Sequence, residues 1–455
     1  MTASRRLVMA LCLSLAAASA CGGDDDGGTA SNAGGTSGSA SGGGSAAGGA
    51  GGSSASGGGI GIGGSGGGVS CPGGKKTTVS GTIYAPTKVS PDPLPNVAVY
   101  VPAGAVKPFD PEVACVRCGE ESPSVTRTVS KSDGSFVLEN VPAGTDVTLV
   151  LQAGRWRRQI KVPTVTACED TKLAAEQTRL PRNQSEGDIP KMALQTGYVD
   201  GLECLLTKIL DPAELTAPSG SGRVHLFKGS GADASPALPA SSTLWGDPEK
   251  LDDYDVVFFP CDFTSSSTEP AMPPSAVANL KAYVDVGGRL FLTHGGGKWL
   301  KENSPAPYPG IAQFNNQPDP TSPLASLVDT SFPKGQIFAE WLVAVGVSTT
   351  LGQIAVESAQ WYVDSVAAPA QRWIHSPSPV TVQHFTFNTP IGAAEKDQCG
   401  RILFSNFHVK APPSNATYPA HCTDVDKPLT TNEKVIEFML FDTTGCVQSD
   451  KDPVK

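Results

Sequence analysis

Residues 22–70 are almost wholly Gly, Ser and Ala with a few Asp, Thr and Asn, and this tract limits where the chain of 455 residues can fold. Such a segment buries too little apolar surface to offset the entropy of ordering it. It is expected to be a random coil with a typical span of ~40 Å. Any core must therefore come from residues 71–455, a length that allows two or three domains. The stretch GIGIGGSGGG inside the tract has no strand before it and no helix after it. It is low complexity rather than a dinucleotide loop.

Ahead of the tract, Arg5 and Arg6 precede an apolar run from Leu7 to Ala18. The run is too short to cross a bilayer as a helix, so residues 1–20 read as an export leader. Ala18-Ser19-Ala20-Cys21 resembles the bacterial lipobox, with Ala18 where that motif usually has Leu. The resemblance implies lipid attachment at Cys21 and a membrane reached through that lipid. Ordinary signal cleavage after Ala20, without lipid, is the alternative. Gly22, in place of the Asp of inner-membrane retention signals, implies an outer-membrane or surface location in the cell envelope.

Export suits the cysteines, because disulfides persist in oxidising compartments. Setting aside Cys12 and Cys21 leaves Cys71, Cys115, Cys118, Cys168, Cys204, Cys261, Cys399, Cys422 and Cys446. The number is odd, so at least one thiol stays free or pairs outside the chain. The formal charge is -10, or -12 without Arg5 and Arg6. Nucleic acid is excluded as a partner, since phosphate binding needs clustered Lys and Arg.

From Cys71 to about residue 187 the pattern is short strands and turns. Thr78–Tyr84 alternates around Gly81, Val97, Val99 and Val101 alternate with smaller residues, and Val147, Leu149 and Leu151 do the same. Asp133-Gly134 marks a tight hairpin before Phe136 and Leu138, and Pro142 with Gly144 marks a second turn. These residues predict a small antiparallel β-sandwich of about seven strands. SGTIYAP, LPNVAVYV and SKSDGSFVLENVPAGTDVTLVL resemble the carboxypeptidase regulatory-like domain over residues 77–165. That resemblance implies a transthyretin-like or starch-binding-like sandwich acting as an accessory module, sometimes for carbohydrate.

Beyond residue 188 the period changes. Met192–Leu194, Val224–Phe227, Val256–Phe259, Leu290–Leu292 and Ile402–Phe404 are buried-strand runs. Between them lie helical patterns. Leu202, Leu205, Leu206 and Ile209 share one face, with Asp200 and Glu203 placed as a cap, and Val277, Leu280 and Val284 share another before Gly287. Phe338, Trp341, Leu342 and Val345 precede Gly346, and Thr430 with Glu433 forms a capping box. Strands alternating with helices predict an α/β doubly wound, mostly parallel sheet over residues 188–446, followed by a tail of residues 447–455. YDVVFFP, LKAYVDVGGRLFLTH and CGRILFSNFH resemble the class I glutamine-amidotransferase-like fold, especially its trehalose-utilisation-like branch. The pair of modules also resembles a group of myxobacterial lipoproteins.

The amidotransferase nucleophile is a cysteine on the sharp turn after the strand that here reads RLFLT, and that turn is His294-Gly295-Gly296-Gly297. A thiolate needs this strained, exposed turn to reach a carbonyl carbon beside oxyanion donors. Glutamine hydrolysis by the family mechanism is therefore not expected. A histidine at this position suits the trehalose-utilisation-like branch. Cys261 follows a strand at the edge where such sheets bind ligands. A disulfide, with Cys204 nearby, is expected for it; a buried thiol, or a nucleophile with His294 as base, are the alternatives. His294 and His408 both follow strands, and a pocket lined by Cys261, His294, Trp299 and His408 is the candidate site. Asp262 or His421 would have to complete a metal set, and no HxH or HxxxH spacing enforces one, so neither metal nor cofactor is expected. Gly295–Gly297 with Lys298 lacks the phosphate-loop spacing.

Cys115-Val116-Arg117-Cys118 is one C-x-x-C and too little for a zinc ribbon. These cysteines are expected to bridge each other or to staple the sandwich with Cys71 and Cys168. Arg155, Trp156, Arg157 and Arg158 form the basic cluster, either a patch for sugars or anions or an edge strand whose arginines pair with acids. Together these features favour a non-catalytic lipoprotein that binds carbohydrate or an envelope partner. An exported hydrolase or sugar-modifying enzyme, with His294 as general base, is the alternative.

Overall fold

The computed structural model describes residues 71–120, 122–262, 272–301, 308–315, 317–409 and 417–454. Residues 1–20, expected to be an export leader, Cys21 and the tract to residue 70 lie outside the described residues. Period-two patterning in the first part becomes seven strands: β1 (Thr78–Thr82), β2 (Ala98–Pro102), β3 (Ser124–Val129), β4 (Ser135–Glu139), β5 (Gly144–Ala153), β6 (Trp156–Val165) and β7 (Asp170–Lys172). They form two sheets, in the orders β4-β1-β7 and β3-β2-β5-β6. Val79, Phe136 and Leu138 from the first sheet join Val99, Leu149 and Leu151 from the second in one buried cluster.

The Asp133-Gly134 turn forms as predicted, with Gly134 N–H donating to the Lys131 carbonyl at 2.8 Å. It does not make a hairpin. β3 pairs with β2 and β4 pairs with β1, so the turn passes the chain between sheets. Turn residues specify a reversal of direction, whereas the ladder partner is chosen by which faces can be buried. Gly134 sits at φ +73°, where a Cβ would fall 2.7 Å from the Pro93 side chain.

The second part adds β8 (Met192–Gln195), β9 (Leu215–Thr216), β10 (Val224–Phe227), β11 (Asp233–Ala234), β12 (Val256–Phe259), β13 (Arg289–Thr293), β14 (Ala312–Phe314), β15 (Leu324–Val328), β16 (Gln353–Val356), β17 (Val363–Val366), β18 (Gln371–Pro377), β19 (Val380–Thr389), β20 (Gly400–Ser405) and β21 (Thr417–Tyr418). Ten of these build one sheet, in the order β16-β15-β18-β19-β20-β13-β12-β8-β10-β9. Pairing is parallel from β9 to β20, as the buried apolar runs predict. From β20 to β16 it is antiparallel, an extension the sequence reading missed. The remaining strands pair as β11 with β21 and β14 with β17. The molecule is mostly sheet with few helices, the longest being Pro274–Val286 and Thr431–Thr443.

The described residues lie in one compact unit. Trp156 is fully buried against Phe441, with ring centroids 5.1 Å apart, and its Nε1 donates to Thr444 Oγ1 at 2.8 Å. Arg155 pairs with Asp255 at 2.9 Å, Arg157 pairs with Asp188 at 2.8 Å and lies over the Phe109 ring, and Arg158 donates to the Glu176 and Arg179 carbonyls. The basic cluster is thus a seam between the two parts rather than a ligand patch, because the apolar Trp156 face and both guanidinium groups beside it are consumed by internal partners.

Four disulfides lie among the described residues: Cys71–Cys168, Cys115–Cys399, Cys118–Cys446 and Cys204–Cys422. Cys115 and Cys118 neither bridge each other nor join Cys71 and Cys168. Each ties the first part to the second, since the loop that carries them lies along the far chain segment, where Val447 N–H donates to the Val116 carbonyl at 2.8 Å. Cys261 is outside the four bridges, as Cys204 is taken by Cys422. The segment read as a tail contributes buried Asp450, which pairs with Arg401 at 2.8 Å beside Asp442 and Lys334.

Candidate functional site

Four neighbouring parallel strands, β8, β12, β13 and β20, end at the same edge of the sheet. Just past those ends stand Asp200, Cys261, His294 and His408. This is the edge at which open α/β sheets bind ligands. The chain must run very close there. A Cβ on Gly197 would fall 2.7 Å from Pro260, and one on Gly296 would fall 2.3 Å from the Phe259 carbonyl oxygen. His294 opens the short 3₁₀ turn His294–Gly297 at φ +26°. A non-glycine side chain holds such a left-handed backbone only where its surroundings fix it.

Asp200 was predicted to cap the helix Leu202–Ile209, yet that helix begins after Gly201 without a side-chain cap. The carboxylate turns inward and is fully buried. It accepts from Val409 N–H at 2.9 Å, from the Thr293 hydroxyl, and from Cys261 N–H at 3.4 Å. Both of its oxygens lie 3.2 Å from His408 Nδ1. A carboxylate there places the proton on Nδ1 and leaves Nε2 of His408 as the lone-pair nitrogen. Thr293 Oγ1 in turn accepts from Cys261 N–H at 2.9 Å.

Cys261 Sγ lies 3.4 Å from His294 Nδ1, and the His294 and His408 rings meet edge to face at 4.9 Å. The ligand atoms of Cys261, His294 and His408 all lie within 4.8 Å of one another. Burial, with His408 adding to it, lowers the His294 pKa to about 3, so its imidazole is neutral at physiological pH. Chemically, the cluster offers a thiol, two imidazoles and a buried carboxylate that orients one of them. Beside it opens a cleft of mixed lining, with His408, Glu357, Ser358 and Asn432 next to Val409, Ala359 and Pro320. Asn432 Nδ2 clamps its wall by donating to the Glu357 and His408 carbonyls at 2.7 and 2.8 Å.

Three of the four predicted pocket residues therefore meet. Trp299 does not join them. It is buried and packs on Phe259 with centroids 4.8 Å apart, because its short helix Lys298–Lys301 turns it into the core. Asp262 is held by Ser230 and Gln195. His421 Nε2 is 2.8 Å from buried Glu203, next to the Cys204–Cys422 bridge. Sequence reasoning missed Asp200, whose position before a helix mimics a cap. The signal that could have found it is its place after β8, in register with the other strand ends.

No family model matches the chain, and no curated protein does. Among solved structures, it is similar to a ThuA-like protein from Bacteroides uniformis, at 12% identity over 55% of this chain and 89% of that one, with a TM-score of 0.32. A cytoplasmic protein from Salmonella typhimurium matches at 13% identity over 55% and 98%, with a TM-score of 0.30. A β-galactosidase from Bacillus circulans sp. alkalophilus matches at 11% over 49% and 29%, with a TM-score of 0.24. These likenesses are partial and of low identity.

Proposed function

We propose that this chain is an exported, lipid-anchored enzyme of the hydrolytic or sugar-modifying class, acting at the strand ends that carry Asp200, Cys261, His294 and His408. The observation that carries the reading is their convergence. Four parallel strands deliver a buried carboxylate, a thiol and two histidines to one point beside a cleft. A fully buried carboxylate holding a mostly buried histidine at the mouth of a cleft is the kind of arrangement that clusters at functional sites. In this reading residues 188–446 are a trehalose-utilisation-like variant of the amidotransferase-like fold, in which His294 replaces the turn cysteine. Residues 71–187 are a carboxypeptidase regulatory-like accessory module. Cys21 anchors the chain to the outer membrane, and residues 22–70 space it from the surface.

A panel of glycosides, esters and amides, assayed with wild type and His294→Ala, tests this. Turnover lost in the variant with an unchanged melting temperature supports the assignment. Turnover unaffected by the substitution, or absent throughout, sinks it. Binding without turnover is the second reading, favoured by the cleft itself. Its polar side chains (Glu357, Ser358, Gln360 and Asn432) suit a hydroxyl-rich ligand such as a carbohydrate. Glycan arrays and pull-down from envelope extracts with wild type would reveal it.

A further inference from the structure

We propose that Cys261 Sγ, His294 and His408 Nε2 bind one zinc-class divalent ion, with Asp200 orienting His408 from behind. The role of that ion rests on the hydrolytic reading above; its binding does not. The geometry is close to what a tetrahedral ion requires. With Zn–S near 2.3 Å and Zn–N near 2.05 Å, a tetrahedral edge from sulfur to nitrogen is about 3.6 Å. Cys261 Sγ and His294 Nδ1 are 3.4 Å apart, and one ligand atom from each of the three residues lies within 4.8 Å of the others. Closing the longest pair requires about 1 Å of side-chain motion, well within the reach of rotamer adjustment.

The surroundings match a ligand set as well. A metal-binding histidine typically gives its other ring N–H to a carboxylate, which fixes the tautomer and raises its basicity. Asp200 stands in that place, 3.2 Å from His408 Nδ1 and itself anchored by Val409 N–H and the Thr293 hydroxyl. A thiol with two imidazoles selects zinc over magnesium or calcium, which prefer oxygen ligands. The three ligands follow three different strands rather than one loop, so the site needs no local spacing motif. Three protein ligands leave a fourth position, and His408 opens onto the cleft where a ligand would approach. An ion there would acidify a water at that position. One water is consumed: its oxygen bonds to the electrophilic carbon, the bond to the leaving group breaks, and the proton released goes to that group.

The test uses the full chain without a histidine tag, stripped with a chelator and titrated with Zn(II) by calorimetry and with Co(II) by absorption. One equivalent should bind, and the Co(II) form should show a thiolate-to-cobalt charge-transfer band. Cys261→Ser should abolish that band and weaken zinc about 100-fold, and His408→Gln should weaken zinc comparably. Asp200→Asn, which removes the orienting charge and exchanges one acceptor oxygen for an amide donor, should cost roughly 10–100-fold. His375→Gln, in β18 and remote from the cluster, should bind as wild type, and circular dichroism confirms that each variant is folded. The proposal is overturned if folded wild type binds no stoichiometric zinc, or if affinity is unmoved by Cys261→Ser and His408→Gln. Zinc binding without turnover would sink the enzymatic reading alone. Turnover that survives complete metal removal would sink the catalytic role of the ion and leave the enzyme.

Discussion

Replacing Glu437 with Gln should remove a pH-dependent loss of stability. Glu437 lies on the helix Thr431–Thr443, fully buried, and accepts from the Thr87 hydroxyl across the seam between the two parts. Burial first, and then the neighbouring Asp92 carboxyl, push its pKa up to about 8 from an ordinary value of 4.5. Burial also raises Asp92, which Lys434 partly offsets. Between pH 4.5 and pH 8 the folded state therefore holds a proton that the unfolded chain has released. Stability is fully present below pH 4.5 and is lost as pH rises through 8. At 1.36 kcal/mol per pKa unit the loss is on the order of 5 kcal/mol if Glu437 acts alone, and less as Asp92 shares the proton. Denaturant midpoints for wild type and Glu437→Gln, taken from pH 5 to pH 9, give the difference curve. Shared contributions, such as the neutral buried His294, cancel in that difference. Wild type should lose ground to the variant as pH rises, with the curve flattening above about pH 8. A difference that stays constant from pH 5 to pH 9 would refute the reasoning.

Trp156→Ala should cost about 3–5 kcal/mol in chemical denaturation, since it empties a fully buried site against Phe441 and strips Thr444 of a donor. Equal midpoints would show that the seam is not packed as described. Deleting residues 447–455 removes Asp450 from Arg401 and should destabilise by roughly 3 kcal/mol; a truncated chain as stable as the full one would return this segment to the status of a tail. In denatured chain without reductant, Cys261→Ser should lower the titratable thiols by one, and Cys204→Ser should raise them by one by releasing Cys422. Any other change would mean a different bridging pattern.

Local order was legible wherever short-range physics decides it. The helix Thr431–Thr443 carries the predicted Thr430–Glu433 capping box, the helix Pro274–Val286 stops at Gly287, and the runs VVFF and RLFLT became buried parallel strands. With Cys12 and Cys21 set aside, the remaining nine cysteines also required at least one unbridged thiol, and it is Cys261. What the residues in order could not state was partnership. Asp200 looks like a cap for the helix beside it, and only the adjacency of β8, β12, β13 and β20 turns it toward His408, 208 positions away. Cys118 finds Cys446 across the molecule, Trp156 meets Phe441 rather than a sugar, and β3 and β4 leave one turn for different sheets. Capping, turn formation and strand propensity act over a few residues and are written in the order of side chains. Strand order, disulfide pairing and the convergence of His294, Cys261 and His408 depend on which buried faces meet after collapse, and many sequences of contacts are compatible with the same local signals.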